Sequence, residues 1–287
     1  MLENQNQSTI IGSSSTAPYL NSLALKYGYC SDYVGLWGVS LPNYIILTSA
    51  SNQGITADDE PPSKYLLTGP SIFDSLNTKG LSWSAFAESL PSECYQGKST
   101  GSPVVFSVHH VPSLYYKDLV DSAPQCAKTV NITELDPTSL PTFCIVTPNN
   151  NHNSHNAPSD VPASDTWCKG FLSPILSSSD FTTGKLAIFI VYDNAWSPLL
   201  GNSPCIILWS GMTSPVVSAN SYNHYDTIAT IESLLGLPFL TNNDKNAQIM
   251  SEFFPSSGTP PTIDNVGLLI AAVVVAAIVI TIVLVTK

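Results

Sequence analysis

"KLAIFIVYD", residues 185–193, runs without a polar break from Leu186 to Val191 and then stops on Asp193. Side chains of a strand point alternately to its two faces, so an unbroken apolar run marks a strand covered on both. "PTFCIVTP" (141–148) and "SPCIILWS" (203–210) read the same way, and "LSWSAFAE" (81–88) is a fourth strand. Between them lie segments of helical period. "TAPYLNSLALKYG" (16–28) is expected to be capped by Thr16 and stopped at Gly28, and "IFDSLNTKG" (72–80) ends at Gly80. "SDTWCKGFLSPIL" (164–176) and "HYDTIATIESLLGLP" (224–238) complete the set, the last closed by Gly236 and Pro238. Strands alternating with helices predict an α/β three-layer sandwich around a mostly parallel central sheet. Residues 51–70 and 93–135 are expected to be long loops over one edge, and no internal repeat is visible.

Composition narrows the class. Charged residues make up 11% of the 287-residue chain, against about 25% in ordinary soluble proteins. The formal charge is −11 with ten Lys plus Arg, so a phosphate backbone is repelled and nucleic acid is excluded as a partner. "VGLLIAAVVVAAIVITIVLVT", Val266 to Thr286, carries no charge and is long enough as a helix to cross a hydrocarbon core of ~30 Å. The expected domains are therefore 1–254, a Pro/Ser-rich stalk at 255–265, and a transmembrane helix at 266–286. Lys287 alone follows the helix, which points the end inward and the large domain outward. The expected location is a cell membrane, crossed once. No apolar, positively flanked leader opens the sequence as written.

Six cysteines, Cys30, Cys94, Cys126, Cys144, Cys168 and Cys205, have no zinc-like spacing, and an even number outside the cytosol suits disulfides. Cys144 and Cys205 sit inside apolar strands and read instead as buried thiols.

In parallel sheets the chemistry gathers at the carboxyl ends of the strands. Asp193 and Asn194 follow one strand, Asn149 to Asn156 with His152 and His155 follow another, and His224 opens the last helix. Ser40 and Asn43 start the helix of "SLPNYIILTS". All of them fall on one rim.

The same segments resemble a known family. "LENQNQSTIIGSSSTAPYLNSLALKYG" is similar to the opening of the phosphoesterase family of acid phosphatases and phosphatidylcholine-type phospholipases C, within the alkaline phosphatase superfamily. "SLPNYIILTSASNQGIT", "SWSAFAESLPSEC", "LPTFCIVTPN" and "NHYDTIATIESLLGLP" resemble further motifs of that family in the same order. The resemblance implies an alkaline phosphatase-like fold and a phosphoric ester hydrolase whose substrate is a small phosphate ester or a phospholipid head group. It makes Ser40 a metal-bound nucleophile that forms a covalent phosphoserine, Asn43 a holder of a phosphoryl oxygen, and His110 a phosphate contact or general acid. It puts Glu3, Asn4, Ser40 and Asp193 around a divalent metal ion, with Asn194 beside Asp193. It places His224, with Asn153 or His155, on the leaving-group side. It also implies a Cys94–Cys126 disulfide.

The departures from the family pattern shape the expectation. Asn194, Asn153 and Asn156 stand where the family has carboxylates, and each amide keeps an oxygen while removing a charge that hard dications need. One metal site is expected rather than two. The family's apolar strand before Glu3 is missing, so Glu3 is expected to hang from a loose chain end. A serine hydroxyl with no His/Asp relay at suitable spacing needs a metal to become a nucleophile. The alternative is a catalytically inactive binding or structural surface protein on the same scaffold.

Overall fold

Two strands that the sequence pattern hides pair with each other in the larger sheet. The computed structural model describes residues 3–155, 160–195 and 201–255, and the expected stalk beyond Pro255 and the membrane helix lie outside them. Among the described residues no helix is long and apolar enough to cross a membrane. The strands are β1 (Gly28–Val34), β2 (Trp83–Ala87), β3 (Thr129–Asn131), β4 (Phe143–Thr147), β5 (Ala187–Val191), β6 (Cys205–Trp209) and β7 (Val216–Asn223). The longer helices are α1 (Pro18–Lys26), α2 (Ser40–Ser49), α3 (Ile72–Lys79), α4 (Val161–Leu176) and α5 (His224–Leu235).

The expected single sheet is present as two hydrogen-bonded pieces, one ordered β5-β6-β1-β7 and one ordered β3-β2-β4. β2 pairs in parallel with β3 and β4, and β1 in parallel with β7. β6 runs antiparallel to both β1 and β5, which corrects the parallel reading locally. The cause is visible in the chain. β5 and β6 are consecutive in the chain and neighbours in the sheet, and among the described residues between them none is helical.

β1 ("GYCSDYV") and β7 ("VVSANSYN") lack apolar runs because each is only partly covered. Their place is set by pairing with each other over Gly28–Val34 and Val216–Asn223, so tertiary context overrides a weak local preference. β4 and β5 are buried at every position, as their sequences require. Gly28 does not end α1; it opens β1, and Thr16 is not the cap, since the N-cap position of α1 is Ala17. α3 and α5 end as expected at Gly80 and Gly236, both left-handed, with φ of 72° and 60°. Each also starts with a capping box, Ser71 with Asp74 and Asn223 with Asp226. β3 lies inside the stretch expected to be loop. Tyr115 and Tyr116 of that stretch are wholly buried.

Cys94 and Cys126 form a disulfide across a sequence separation of 32 residues. The other four cysteines are buried and free. The crowding of apolar side chains on β4, β5 and β6 forms the core that fixes the strand ends, and the polar rim is built on those ends.

Candidate active site

Ser40 is the first residue of α2 and is 4% exposed. The chain reaches it from β1 through a turn held by Asn43. The Asn43 side-chain oxygen accepts from the backbone N–H groups of Leu36 (3.1 Å) and Trp37 (3.0 Å), and its amide donates to the carbonyls of Trp37 (2.9 Å) and Val39 (3.0 Å). Both amide protons and the oxygen therefore serve the turn. Gly35 lets that turn press against the opposite strand end, because a Cβ there would stand 2.1 Å from the Asp193 carbonyl oxygen. Val39, at the N-cap position, has no side chain able to cap. Pro42 has no N–H, and the free N–H of Leu41 donates instead to Asp58 Oδ1 at 2.8 Å.

Glu3 is the hub. Far from hanging loose, it is fully buried, and its backbone N–H donates to the Asn153 carbonyl at 2.9 Å. That backbone bond helps to aim the carboxylate. Ser40 Oγ donates to Glu3 Oε2 at 3.0 Å and Tyr44 OH donates to Oε1 at 2.8 Å. His110 Nε2 lies 2.8 Å from Oε1, bent away from the line of a straight hydrogen bond, and its Nδ1 has no partner. The ring stacks on Tyr44 with centroids 5.1 Å apart. His155, 41% exposed at its side chain, brings Nε2 to 3.7 Å from Glu3 Oε2. Burial works to raise the Glu3 carboxyl, but the charges of His110 and His155 and the hydrogen bonds from His110 and Tyr44 outweigh it and hold the group well below the usual range. Burial lowers His110 despite Glu3 beside it.

Asp193 and Asn194 close the other wall. Asp193 Oδ1 accepts from the N–H groups of Asn194 (2.7 Å) and Asn4 (3.2 Å). Asn4 takes the left-handed backbone, φ 54°, to make that contact. Asp193 Oδ2 and Asn194 Oδ1 are buried with no hydrogen-bond partner. Burial first, and then the charge of Glu3, push the Asp193 carboxyl well above its ordinary value, so the pair as it stands favours one anion rather than two. Two buried oxygens without partners, next to a serine hydroxyl and a carboxylate, form an all-oxygen donor set of the kind that suits a hard divalent cation. Among the described residues no group of three His, Cys, Asp or Glu side chains stands together as a metal cluster. The donor set is correspondingly poor in charge.

The remaining rim residues divide. Asn153 is fully buried, donates to Asn150 Oδ1 at 2.9 Å and accepts from the N–H of His155 at 2.9 Å, so it shapes the loop that carries His155. His224 stands behind the site: its Nε2 donates to the Asp193 carbonyl at 2.7 Å, which leaves Nδ1 to accept from Tyr33 OH, also at 2.7 Å. Burial lowers its pKa to about 4, so the ring is neutral and both nitrogens are occupied. His152 turns away to Glu88, 2.9 Å from Oε2, and stacks on Trp167. Tyr44 was legible but not singled out: four residues after Ser40, it shares that face of α2. Asp58, seventeen residues from Leu41 in a run of acids, gives no sequence signal of its contact.

Known proteins resemble this chain in sequence and fold. A phosphate-repressible acid phosphatase of Penicillium chrysogenum is 26% identical over 251 residues, covering 83% of this chain and 59% of that protein. A phosphatidylinositol-3-phosphatase of Mycobacterium tuberculosis is 25% identical over 236 residues, covering 82% of this chain and 75% of that protein. A probable acid phosphatase of Kluyveromyces lactis matches over 54% of its own length, so the chain spans little more than half of some relatives. A crystal structure of an alkaline phosphatase superfamily protein from Vibrio parahaemolyticus overlays with a TM-score of 0.54 at 13% identity, covering 88% of this chain and 70% of that one, which supports the fold. The sequence model of the Phosphoesterase family matches residues 3–195, a span that opens on Glu3 and contains Ser40, His110 and Asp193, and the chain belongs to that family.

Proposed function

We propose that the protein hydrolyses phosphate esters, with Ser40 as nucleophile. The observation that carries this reading is the Ser40 hydroxyl, 3.0 Å from Glu3 Oε2 at the start of a helix, beside the unpartnered oxygens of Asp193 and Asn194. The helix N-terminus favours the negative phosphoryl group. Glu3 orients the hydroxyl, but a carboxylate held so far below its usual range is a poor acceptor for the serine proton. A divalent cation held by Asp193, Asn194, Ser40 and Glu3 would supply what is missing, a lower pKa for the hydroxyl and charge against the phosphoryl oxygens. Ser40 Oγ forms a bond to phosphorus as the ester P–O bond breaks, its proton leaving to solvent. His155, at the open side, protonates the departing oxygen. Water then cleaves the phosphoserine and returns the hydroxyl proton.

Relatives named acid phosphatase and phosphatidylinositol-3-phosphatase favour a phosphomonoester or a phospholipid head group as substrate. The apolar segment 266–286 favours attachment to a membrane with the large domain outside. The absence of a three-ligand His/Cys/Asp/Glu cluster among the described residues favours the second reading, an inactive surface protein on the family scaffold. Assay of the purified chain against phosphate esters, adding divalent metals one at a time, separates the two. Metal-dependent hydrolysis lost in Ser40→Ala is expected; a chain that neither binds metal nor hydrolyses any ester leaves the second reading.

A further inference from the structure

The first turn of α2 offers few donors to an anion. Ser40 and Leu41 have backbone N–H groups there, Pro42 has none, and the N–H of Leu41 is already given to Asp58 Oδ1 at 2.8 Å. The chain contains no arginine, so no guanidinium can hold a phosphoryl group. The backbone donors beside Ser40 therefore matter more than they would in a site with a guanidinium clamp. The same corner holds the buried, unpartnered Asp193 Oδ2 and Asn194 Oδ1. Polar atoms on two walls thus converge on the position next to Ser40, and one of its donors is covered by an acid from elsewhere in the chain.

That acid comes from an anchored loop. Tyr115 OH donates to the Asp59 carbonyl at 2.8 Å, and the N–H of Ser99 donates to Glu60 Oε2. His109, half-buried, faces Glu60 at 3.8 Å. Asp58 is the exposed residue next to these anchors, so it can leave Leu41 without unravelling the loop.

We propose that Asp58 is an internal stand-in for the substrate anion: its carboxylate occupies the Leu41 N–H that a phosphoryl oxygen takes when substrate binds, so that phosphate and Asp58 compete for one donor. This rests on the phosphoesterase reading above. It makes Asp58 a specificity-determining residue, since a ligand must displace a carboxylate and tolerate its charge at the rim. Weakly held anions are rejected, while a phosphoryl group that also meets the cation and Ser40 wins. A cap that only steadied α2 would leave anion affinity unchanged.

The test is a titration of the full chain with inorganic phosphate, followed by calorimetry or phosphorus NMR, in wild type, Asp58→Asn and Asp58→Ala, with and without a divalent cation. Asp58→Asn keeps an oxygen for Leu41 N–H and so keeps the cap, but removes the charge. Asp58→Ala removes both, and circular dichroism confirms that it is folded before comparison. Phosphate affinity is expected to rise roughly tenfold in Asp58→Ala, the scale of one hydrogen bond to a charged partner, and by less in Asp58→Asn. Equal or weaker phosphate binding in folded Asp58→Asn, with wild type still binding phosphate, overturns the inference and leaves the phosphoesterase reading standing. No phosphate binding in any of the three overturns both.

Discussion

Among the described residues two pairs of buried carboxyl groups meet, Glu3 with Asp193 and Glu232 with Asp244, and their surroundings treat them differently. Glu3 and Asp193 meet at the rim of the sheet, where Ser40, Tyr44 and His110 donate to or face Glu3, and two oxygens point at nothing. Glu232 of α5 and Asp244 meet beneath it. Asp244 accepts from Thr241 N (2.8 Å) and Thr241 Oγ1 (2.8 Å) as the base of a capping box, while both Glu232 oxygens are buried without a well-formed hydrogen bond. Burial, and then the charge of Asp244, raise Glu232 to about 10, so it is protonated at neutral pH. In one pair Glu232 takes up a proton and becomes a neutral member of the core. The other is surrounded by imidazoles and keeps oxygens that only a cation or a ligand can satisfy. A buried acid is not in itself a site; what its neighbours leave unsatisfied makes it one.

The largest break in this comparison is Ser40→Ala. Removing the nucleophile is expected to lower turnover by roughly 10⁴-fold or more, while the thermal midpoint hardly moves, since the hydroxyl makes a single side-chain hydrogen bond. Initial rates against a chromogenic phosphate ester, with the unfolding curve as control, measure both. An equally active variant removes Ser40 from the mechanism.

Next comes Glu3→Ala, expected to destabilise the fold by about 3–5 kcal/mol, the scale for stripping one member from a buried ionic cluster. Tyr44 OH, His110 and Ser40 would each lose the carboxylate they face. Urea unfolding reads the loss directly, and a change below about 1 kcal/mol would mean that Glu3 is not the hub its contacts describe.

The sequence told different amounts about these regions. The unbroken runs of β4 and β5 and the glycine stops of α3 and α5 were readable because burial on both faces and left-handed caps each demand particular residue types. β1 and β7 were not, because half-covered strands rich in Ser, Asn and Tyr owe their place to each other rather than to local preference. The direction of β6 shows in its antiparallel pairing with β1 and β5, not in its own residues. Among the rim residues, chemistry was visible but partners were not. Asn43 and His224 both lie at the site, yet the structure engages every donor and acceptor atom of their side chains, which only three-dimensional neighbours could reveal. Asp58 carries no motif at all, since its role comes from a proline that deprives α2 of a donor and a loop that happens to end beside Leu41.

A third, smaller effect sharpens the contrast from the other pair. Burial, with Asp244 beside it, raises Glu232 from the ordinary 4.5 to about 10 in the fold. A group raised in this way gives its full stability below about pH 4.5, and loses it progressively as pH rises toward 10, because the unfolded chain ionises first. Wild type should therefore weaken from pH 5 to pH 9 at up to about 1.4 kcal/mol per unit from this group. Glu232→Gln should flatten that slope and be more stable than wild type at pH 9 by roughly 2 kcal/mol, once relaxation around the buried group is allowed for. Melting curves at several pH values test it, and parallel slopes for the two proteins would show that Glu232 is ionised in the fold.

The smallest expected effect bears on the first pair and separates a cation site from a mere acid pair. Anything that binds the native chain alone stabilises it by mass action, so a divalent cation at about ten times its dissociation constant should add roughly 1.4 kcal/mol, or about 2–4 °C in the melting temperature of a chain of this size. The oxygens that would receive it are Asp193 Oδ2 and Asn194 Oδ1, both now without partners. Asp193→Asn removes the charge while keeping an oxygen, so the cation-induced shift should fall or vanish. The same substitution without metal should stabilise the apo fold slightly, because it takes away a carboxyl that burial and Glu3 already push toward its neutral form. Asn194→Asp should act the other way, costing stability without metal and enlarging the shift with it, because a second carboxylate at this wall needs the cation to balance it. Glu232→Gln, applied to the pair that has already found its proton, should leave the cation shift unchanged. If Asp193→Asn and Glu232→Gln alter the cation shift alike, the two carboxyl pairs do not differ as their surroundings imply, and the rim has no special claim on a metal.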